Sequence, residues 1–299
     1  MRRIPEKAES IKPGYLSLAN FKKFVDLNPE ISNIELSNTG EIFLNPDLLA
    51  ILQYAHSKGV GLSAYNGTNL NDVSDEVLEA LVSTNFGMLV VALDGASQES
   101  YVQYRYNGSF DKVIENIKKI NAYKKKHHSD SPYLRWKYII FESNDKREEI
   151  HQAKAMAKEL NMDLAFYKDY MGYTPSDTKM IEEETGLVYD QEKFVQIKEF
   201  NRDAYFPCFS LWHEPQVNWD GRFLGCCSNH YQGFGGNLFE TSLRDYLKTP
   251  AVEKTKKMLQ GGEKFTGTIC HQCYFYLQMV EHQNFIRDEE LEKFAEVFG

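Results

Sequence analysis

Residues 88–117 read MLVVALDGASQESYVQYRYNGSFDKVIENI and contain the pattern that decides the fold. Met88–Asp94 is a continuous apolar run that ends at Gly95, which is typical of a buried strand followed by a turn. A helical repeat then covers residues 110–125, with apolar side chains at Val113, Ile114, Ile117, Ile120 and Tyr123. A buried strand followed by a long amphipathic helix is one unit of a parallel α/β fold.

The same alternation extends on both sides of this stretch. Further strands are predicted at Ile31–Ser37, Val60–Asn66, Leu134–Glu142 and Met162–Lys168. Further helices are predicted at Pro46–Ser57 after Asn45 as N-cap, at Ser74–Ser83, and at Asn144–Leu160 with Asn144 as N-cap. Strands separated by helices pair in parallel through right-handed crossovers. We therefore expect an α/β fold, a partial (β/α) barrel of five units over residues 1–170.

The character of the sequence changes after Tyr170. Residues 171–203 are polar and are predicted to be a linker, with a loop at Gly172–Leu187 and a helix at Gln191–Phe200. Residues 204–285 are rich in aromatics and glycine, contain all the cysteines, and are predicted to form a small separate domain. A terminal helix is predicted at Ile286–Phe298, within residues 286–299.

Composition excludes several classes of function. The chain of 299 residues has a net charge of −9 with acids and bases interspersed, which excludes a broad basic face for nucleic acid. No stretch approaches the roughly 20 apolar residues that span a bilayer, and the charged N-terminus lacks the apolar core of a secretory signal. An odd number of cysteines, five, argues against a disulfide framework. We expect a reducing, cytoplasmic setting in which clustered thiols mean metal or redox chemistry.

Four of the cysteines have the spacing of a metal site. Cys270 and Cys273 form a C-x2-C pair, and an Asp220-Gly221 hairpin turn would bring Cys226 back toward Cys208. Four thiolates from three segments suit either zinc or an iron–sulfur cluster. Cys227 could replace Cys226 if the hairpin register slipped by one residue; Cys226 is preferred because alternate residues face opposite sides of a strand.

Polar residues follow each predicted strand. Small residues stand beside carboxylates and amides at the successive ends, as in residues 37–41, 66–68, 94–95, 142–144 and 168–169. Ligands of parallel α/β folds bind at the carboxyl ends of the strands. This rim suits a polar ligand that bears an ammonium group and hydroxyls, although turn chemistry alone favours the same residue types.

These segments resemble the radical SAM superfamily. Gly40-Glu41 in SNTGEIFLNPDL is similar to its Gly-Gly-Glu segment with Thr39 for the first glycine, and Asn66-Gly67 is similar to the loop after a family strand. Residues 91–117 are similar to a family stretch that has Asp-Gly and then Tyr, Arg and Gly-Ser-Phe, which places Tyr101 near the cofactor. The resemblance implies that S-adenosyl-L-methionine is bound by Gly40, Glu41, Asn66, Asp94 and Arg105.

The cysteine region resembles the twitch module, the shortened form of the SPASM domain. Cys208-x12-Gly221-x4-Cys226, then Gly236-Asn237 and the final C-x2-C, follow the module's pattern. The resemblance implies one auxiliary [4Fe–4S] cluster on Cys208, Cys226, Cys270 and Cys273. The expected architecture is therefore a partial (β/α) barrel of radical SAM type with a small Cys-rich SPASM/twitch domain.

One family feature is missing from the sequence. Radical SAM enzymes have a Cys-x3-Cys-x2-Cys loop after their first strand, and no cysteine precedes Cys208. We expect the chain as given not to cleave S-adenosylmethionine, either because the gene starts upstream or because the protein is a remnant, and no catalytic residue is predicted. The expected function is that of a radical SAM family protein related to enzymes that modify a peptide, sugar or other small substrate, with a possible electron-donor protein as partner. The alternative is a non-catalytic iron–sulfur or zinc protein in recognition or electron transfer.

Overall fold

The structure, a computed structural model, describes residues 13–38, 40–169, 172–189, 207–227, 229 and 234–298. The chain divides into two compact units. The sheet unit is Glu30–Phe194, and the thiol unit is Met1–Pro29 together with Val195–Gly299. No helix of the described residues is long and apolar enough to cross a membrane.

The described helices and strands follow one another along the chain as α1 Leu18–Leu27, β1 Asn33–Glu35, α2 Leu48–Ser57, β2 Gly61–Thr68, α3 Asp75–Ser83, β3 Met88–Ala92, α4 Gln98–Tyr104, α5 Phe110–His127, β4 Tyr133–Ile140, α6 Arg147–Glu159, β5 Asp163–Lys168, α7 Thr178–Thr185, α8 Ser210–His213, α9 Leu243–Tyr246, α10 Pro250–Leu259, α11 Tyr274–Glu281 and α12 Asp288–Phe298. The described residues also include 3₁₀ helices at Ile42–Leu44 and Ile269–Gln272.

The sheet unit contains one parallel sheet in the order β1-β2-β3-β4-β5. Each strand pairs with the next strand in sequence, as in the register of Met88 beside Tyr133 and of Arg135 beside Asp163. The prediction of five βα-type units in an α/β fold is therefore confirmed.

Strand β4 shows how the sheet places polar groups. Leu134, Trp136 and Tyr138 are buried, whereas Arg135 and Lys137, which alternate with them, are half-exposed. Because successive side chains of a strand point to opposite faces, β4 has one apolar face in the core and one face that carries charge. This alternation puts Lys137 on the polar face of the sheet.

Serine caps fix the starts of three helices of the sheet unit. The Ser74 side chain accepts from the Val77 amide at the start of α3, and the Ser109 side chain accepts from the Lys112 amide at the start of α5. Ser97 forms a capping box with Ser100 at α4. Each cap stabilises its helix by about 1 kcal/mol. The predicted starts of α3 and α5 are confirmed.

The predicted N-cap at Asn144 is wrong. Helix α6 begins at Arg147, and its N-cap, Lys146, makes no side-chain cap bond. Asn144 is fully buried, and its amide donates to the carbonyls of Asp94 and Ile139 while its Oδ1 accepts from the Phe141 amide. Three hydrogen bonds to buried backbone groups stabilise the fold more than the single bond that the Asn144 side chain would make as a helix cap. Helix α2 likewise begins at Leu48, two residues later than predicted.

The loop predicted for Gly172–Leu187 is also wrong, because it contains α7. The Asp177 side chain caps the start of this helix, and Gly186 ends it with φ 76°. Glu184 of α7 forms ion pairs with Arg147, His151 and Lys154 of α6. The acidic run is therefore one side of a charged helix pair. The helix predicted at Gln191–Phe200 lies outside the described residues, and the predicted terminal helix is confirmed as α12.

The thiol unit has its own apolar core. Its buried side chains come from the hairpin, from α8 to α11 and from the segments that follow the hairpin and α11, and they are Leu211, Phe223, Leu238, Tyr246, Val252, Met258, Leu259, Tyr276, Met279 and Ile286. Phe24 of α1 packs against the same core. The predicted hairpin is confirmed, since Val217 pairs antiparallel with Phe223 and the Gly221 amide donates to the Asn218 carbonyl.

Gly221→Ala is expected to destabilise the thiol unit. Gly221 has φ 89°, and an added methyl would overlap Asn237 Oδ1 and lie 2.7 Å from the Phe239 ring. The left-handed backbone costs about 1–2 kcal/mol with a side chain, and overpacking adds about 1–3 kcal/mol. Gly235→Ala is the matched control, because Gly235 has φ 83° with no atom near the added methyl. Thermal unfolding should show a clearly larger fall for Gly221→Ala; equal falls would contradict the packing argument.

Candidate metal centre and strand-end site

Three segments of the thiol unit supply the four predicted ligands. Cys208 lies just before α8, and Cys226 follows the second arm of the hairpin. Cys270 lies in the 3₁₀ helix Ile269–Gln272, and Cys273 immediately precedes α11. The Cys273 amide donates to the Cys270 carbonyl at 3.1 Å, so the C-x2-C pair forms one tight turn.

The thiols stand at the edge of the apolar core. Cys208, Cys270 and Cys273 are partly buried and pack against it. The Cys208 amide donates to Met279 Sδ at 3.4 Å, which fixes this segment against α11. The site therefore has a water-poor side formed by the core and a more open side.

The other three thiols lie close enough to Cys270 for their charges to affect its protonation. Burial is the main cause that raises the pKa of the Cys270 thiol, and charges on Cys226, Cys208 and Cys273 raise it further. Four neighbouring thiolates are unfavourable without a compensating cation, and a metal supplies that charge and displaces the protons. By donor type the four thiols suit a thiolate-ligated cluster, while their positions do not form a group that could hold a single metal ion.

Cys227 and His271 are the nearby side chains that could also serve as metal ligands. Cys227 is exposed, whereas Cys226 is partly buried. His271 Nδ1 pairs with the Thr268 carbonyl, and His271 Nε2 pairs with Gln272 Nε2 at 2.9 Å. Within the part of the chain that the structure describes, no three His, Cys, Asp or Glu side chains form a group that could hold a single metal ion.

In the sheet unit, Glu41 is held by its own loop and by the loop after β2. Its Oε1 accepts from the Phe43 amide at 3.1 Å, and its Oε2 accepts from the Asn69 amide at 2.6 Å. Burial is the main cause that raises the pKa of Glu41, and Arg105 and the amides oppose it. Gly40 beside it is exposed with φ 102°. The carboxylate is thus oriented by two amides and keeps lone pairs for a ligand.

Asp94 and Arg105 form one buried-to-exposed pair. Asp94 is fully buried, and its Oδ2 accepts from Arg105 Nε at 3.0 Å and from Arg105 Nη2 at 2.6 Å. Its Oδ1 accepts from the Ile139 amide at 2.9 Å. The Arg105 side chain keeps 27% of its exposure, and its guanidinium lies 5.0 Å from the Tyr104 ring centroid. Asp94 therefore fixes Arg105, and Arg105 is the member of the pair that a ligand can reach.

Asn66 connects to a residue that the sequence reading missed. Its amide donates to Ser37 Oγ at 3.0 Å, and its carbonyl accepts from Lys137 Nζ at 2.9 Å. Burial lowers the pKa of Lys137, and the Arg105 charge adds to this lowering while Asp94 opposes it. Charged residues alternating with apolar ones in LRWKYII were the available signal. Glu41, Asn66, Asp94, Arg105 and Lys137 form one connected group at the carboxyl edge of the sheet.

Tyr101 has a packing role in this arrangement. It is fully buried, and its hydroxyl accepts from Asn71 Nδ2 at 2.7 Å. Its ring lies 5.9 Å from that of Phe110, and burial raises the pKa of its hydroxyl. Tyr101 thus packs α4 against the start of α5.

The described chain is thus an α/β protein with a five-stranded parallel sheet in one unit and four clustered thiols in the other. The family model described as "SPASM: Iron-sulfur cluster-binding domain" matches residues 208–274, the stretch that contains all five cysteines. The chain is similar to the solved structure of Streptococcus suis SuiB, with a TM-score of 0.58 and 14% identity over 94% of this chain and 73% of that one. The family model thus identifies an iron–sulfur cluster-binding domain at residues 208–274, and the chain shares its fold with SuiB.

Two other comparisons gave a weaker match and no match. Methylornithine synthase (PylB) is similar with a TM-score of 0.39 and 11% identity, over 54% of this chain and 50% of that one. A search of curated protein sequences found no match.

Proposed function

We propose that the thiol unit binds one auxiliary [4Fe–4S] cluster of the twitch type through Cys208, Cys226, Cys270 and Cys273. The observation that carries the proposal is the placement of Cys208, Cys270 and Cys273 at the edge of one apolar core, with Cys226 just after the second arm of the hairpin. The match of residues 208–274 to an iron–sulfur cluster-binding domain supports iron and sulfide over zinc. Thiols without disulfides suit a reducing, cytoplasmic setting in which such a site stays loaded.

The residues of the thiol unit hold and shield the group. A bound cluster would supply one-electron transfer. The four thiolates bind it, the adjacent apolar core limits access of water, and the tight Cys270–Cys273 turn fixes two of the sulfurs relative to each other. Cys273 also stands at the N-terminus of α11, where the helix dipole favours a negative ligand.

The strand-end group of the sheet unit is proposed to bind S-adenosyl-L-methionine. Glu41 would accept the ammonium group of the ligand, with its oxygens aimed by the Phe43 and Asn69 amides. Arg105, fixed by Asp94, would face an anionic or hydroxyl group. The substrate is proposed to be a peptide, a sugar or another small molecule, as in the family that the sequence resembles.

Anaerobic reconstitution of the full chain tests the metal assignment. We expect about four iron and four sulfide per chain, with visible charge-transfer absorption. A variant with all four proposed ligands changed to serine should retain neither. Stoichiometric zinc without that absorption would contradict the cluster and support a zinc-stabilised module.

A non-catalytic role in recognition or electron transfer is the second candidate. The observation that favours it is that every cysteine of the given sequence lies at position 208 or later, within the thiol unit. Incubation of the reconstituted chain with S-adenosylmethionine and a reductant separates the candidates. Formation of 5′-deoxyadenosine would contradict the non-catalytic role, whereas ligand binding without cleavage supports it.

A further inference from the structure

A cavity of the sheet unit lies at the opposite edge of the sheet from the strand-end group. It opens at the amino ends of β4 and β5, whereas Glu41 and Arg105 stand at the carboxyl edge. Its volume is about 720 Å³. Its walls come from α5, α6, β4, β5 and their connections, and its lining includes Lys124, Asp130, Lys158, Asp163, Met162 and Phe166. The cavity is open to solvent, and its volume lies in the range of small-molecule sites.

Lys124 is the unusual member of this lining. It keeps only 9% of its exposure, so it is nine-tenths buried. Within the described residues its ammonium forms no hydrogen bond or ion pair. The carbonyl of Lys124 itself accepts from the Ser129 amide at 3.0 Å, and that of Lys125 accepts from the His128 amide, so the last turn of α5 does not use the ammonium as a cap.

The other charges around the cavity leave a positive excess. Asp163 is held by Arg135 at 2.6 Å, and Lys154 is held by Glu184 at 2.7 Å. Asp130 favours the charged form of Lys124 without forming an ion pair with it. Lys158 is exposed at the cavity mouth and has no ion-pair partner among the described residues. Two lysines therefore face one uncommitted aspartate.

Apolar side chains form the rest of the wall. Leu134 and Ala157 are buried, and Met162, Leu164 and Phe166 add further apolar surface. A ligand of this cavity consequently needs an apolar part beside an anionic group. The Lys124 stem is buried, whereas its ammonium nitrogen is not one of the fully buried polar atoms that lack a partner, so the ammonium reaches the cavity. Partial desolvation lowers the pKa of Lys124, and an anion placed against the ammonium would offset that effect.

We propose that this cavity is a binding site for a small organic anion, whose carboxylate or phosphate pairs with the Lys124 ammonium and whose apolar part lies against Met162 and Phe166. The site is independent of the cluster and of the strand-end group, because neither contributes a residue to it.

Calorimetric titration of the full chain with matched probes tests this proposal. Benzoate and phenyl phosphate carry the anionic group, benzyl alcohol is the neutral control, and benzylamine is the cationic control. We expect both anions to bind and neither control to bind measurably; the tighter anion identifies the carboxylate or the phosphate as the preferred group. Amine acetylation read by mass spectrometry should show that the bound anion protects Lys124 and leaves Lys125 reactive.

Two lysine variants locate the site. Lys124→Met should weaken binding of the anions at least about tenfold, since a charge-assisted pair contributes that much or more. Lys125→Met removes the same charge from the adjacent exposed residue of α5 and should leave binding unchanged. Lys124→Met should also unfold at an equal or higher temperature, so that lost binding is not lost folding. Equal weakening by both variants, unchanged binding in Lys124→Met, or no anion binding at 10 mM probe, roughly the weak limit for a specific site, would overturn the proposal.

Discussion

Cys226→Ser is expected to prevent stable cluster assembly, whereas Cys227→Ser leaves it intact. The two variants make the same atomic change at adjacent positions. Cys226 acts electrostatically on Cys270, while Cys227 is exposed. Loss of one of four thiolates opens the cluster to solvent and to degradation, so iron and sulfide after reconstitution should fall to a small fraction of the parent value.

The measurement is iron and sulfide content together with visible absorption, taken on the same anaerobic preparations. Both variants should keep the far-ultraviolet circular dichroism of the parent, because serine is nearly isosteric with cysteine. Retained iron in Cys226→Ser with loss in Cys227→Ser would mean that the hairpin register is displaced by one residue. In that case Cys227 would replace Cys226 as the fourth ligand, and the metal site itself would remain, because a hairpin with the Asp220-Gly221 turn can pair its strands in either register.

Local patterns of the sequence were sufficient for the parallel sheet. The apolar run of β3 and the helical repeat of α5 each carry their own signal, and Ser74 marks the start of α3 with its own side chain. Asn144 has the same capping chemistry, but its partners are the carbonyls of Asp94 and Ile139. These contacts exist only after β3 and β4 have paired. Local pattern cannot report them, and for this reason the start of α6 was misplaced.

The two sites differ in how far sequence could predict them. Cysteine spacing and one hairpin turn were enough to propose the thiol group, because a C-x2-C pair with two further cysteines is a recognisable pattern of metal ligands. Lys137 and Lys124 were not found from sequence, since each is an ordinary lysine in its own strand or helix. Their significance arises from burial and from which acids are already committed elsewhere, as Asp94 is to Arg105. Both of these properties are tertiary.

Asp94→Asn is expected to lower the free energy of unfolding of the sheet unit by about 3 kcal/mol, the lower end for breaking a buried ion pair. The carboxylate is fully buried and accepts from both Arg105 and the Ile139 amide. An amide in its place keeps the shape but leaves the Arg105 cation uncompensated. Because Arg105 retains 27% of its exposure, water recovers part of the loss, and the effect stays below the fully buried limit. Hydrogen exchange of the β3 and β4 amides in the full chain reports this unit directly.

Asp163→Asn is the matched control for this prediction. Arg135 and Asp163 also pair at 2.6 Å on adjacent strands of the same sheet, but their side chains keep 32% and 38% of their exposure. An exposed pair of this kind stabilises a fold by about 0–1 kcal/mol. The two variants therefore differ in burial at nearly equal distance. Similar losses of exchange protection in both variants would show that the distance between the charges sets the stabilisation by each ion pair, and that burial of Asp94 adds nothing to it. A loss confined to Asp94→Asn would instead mark this carboxylate as the residue that keeps Arg105 in place at the strand-end site.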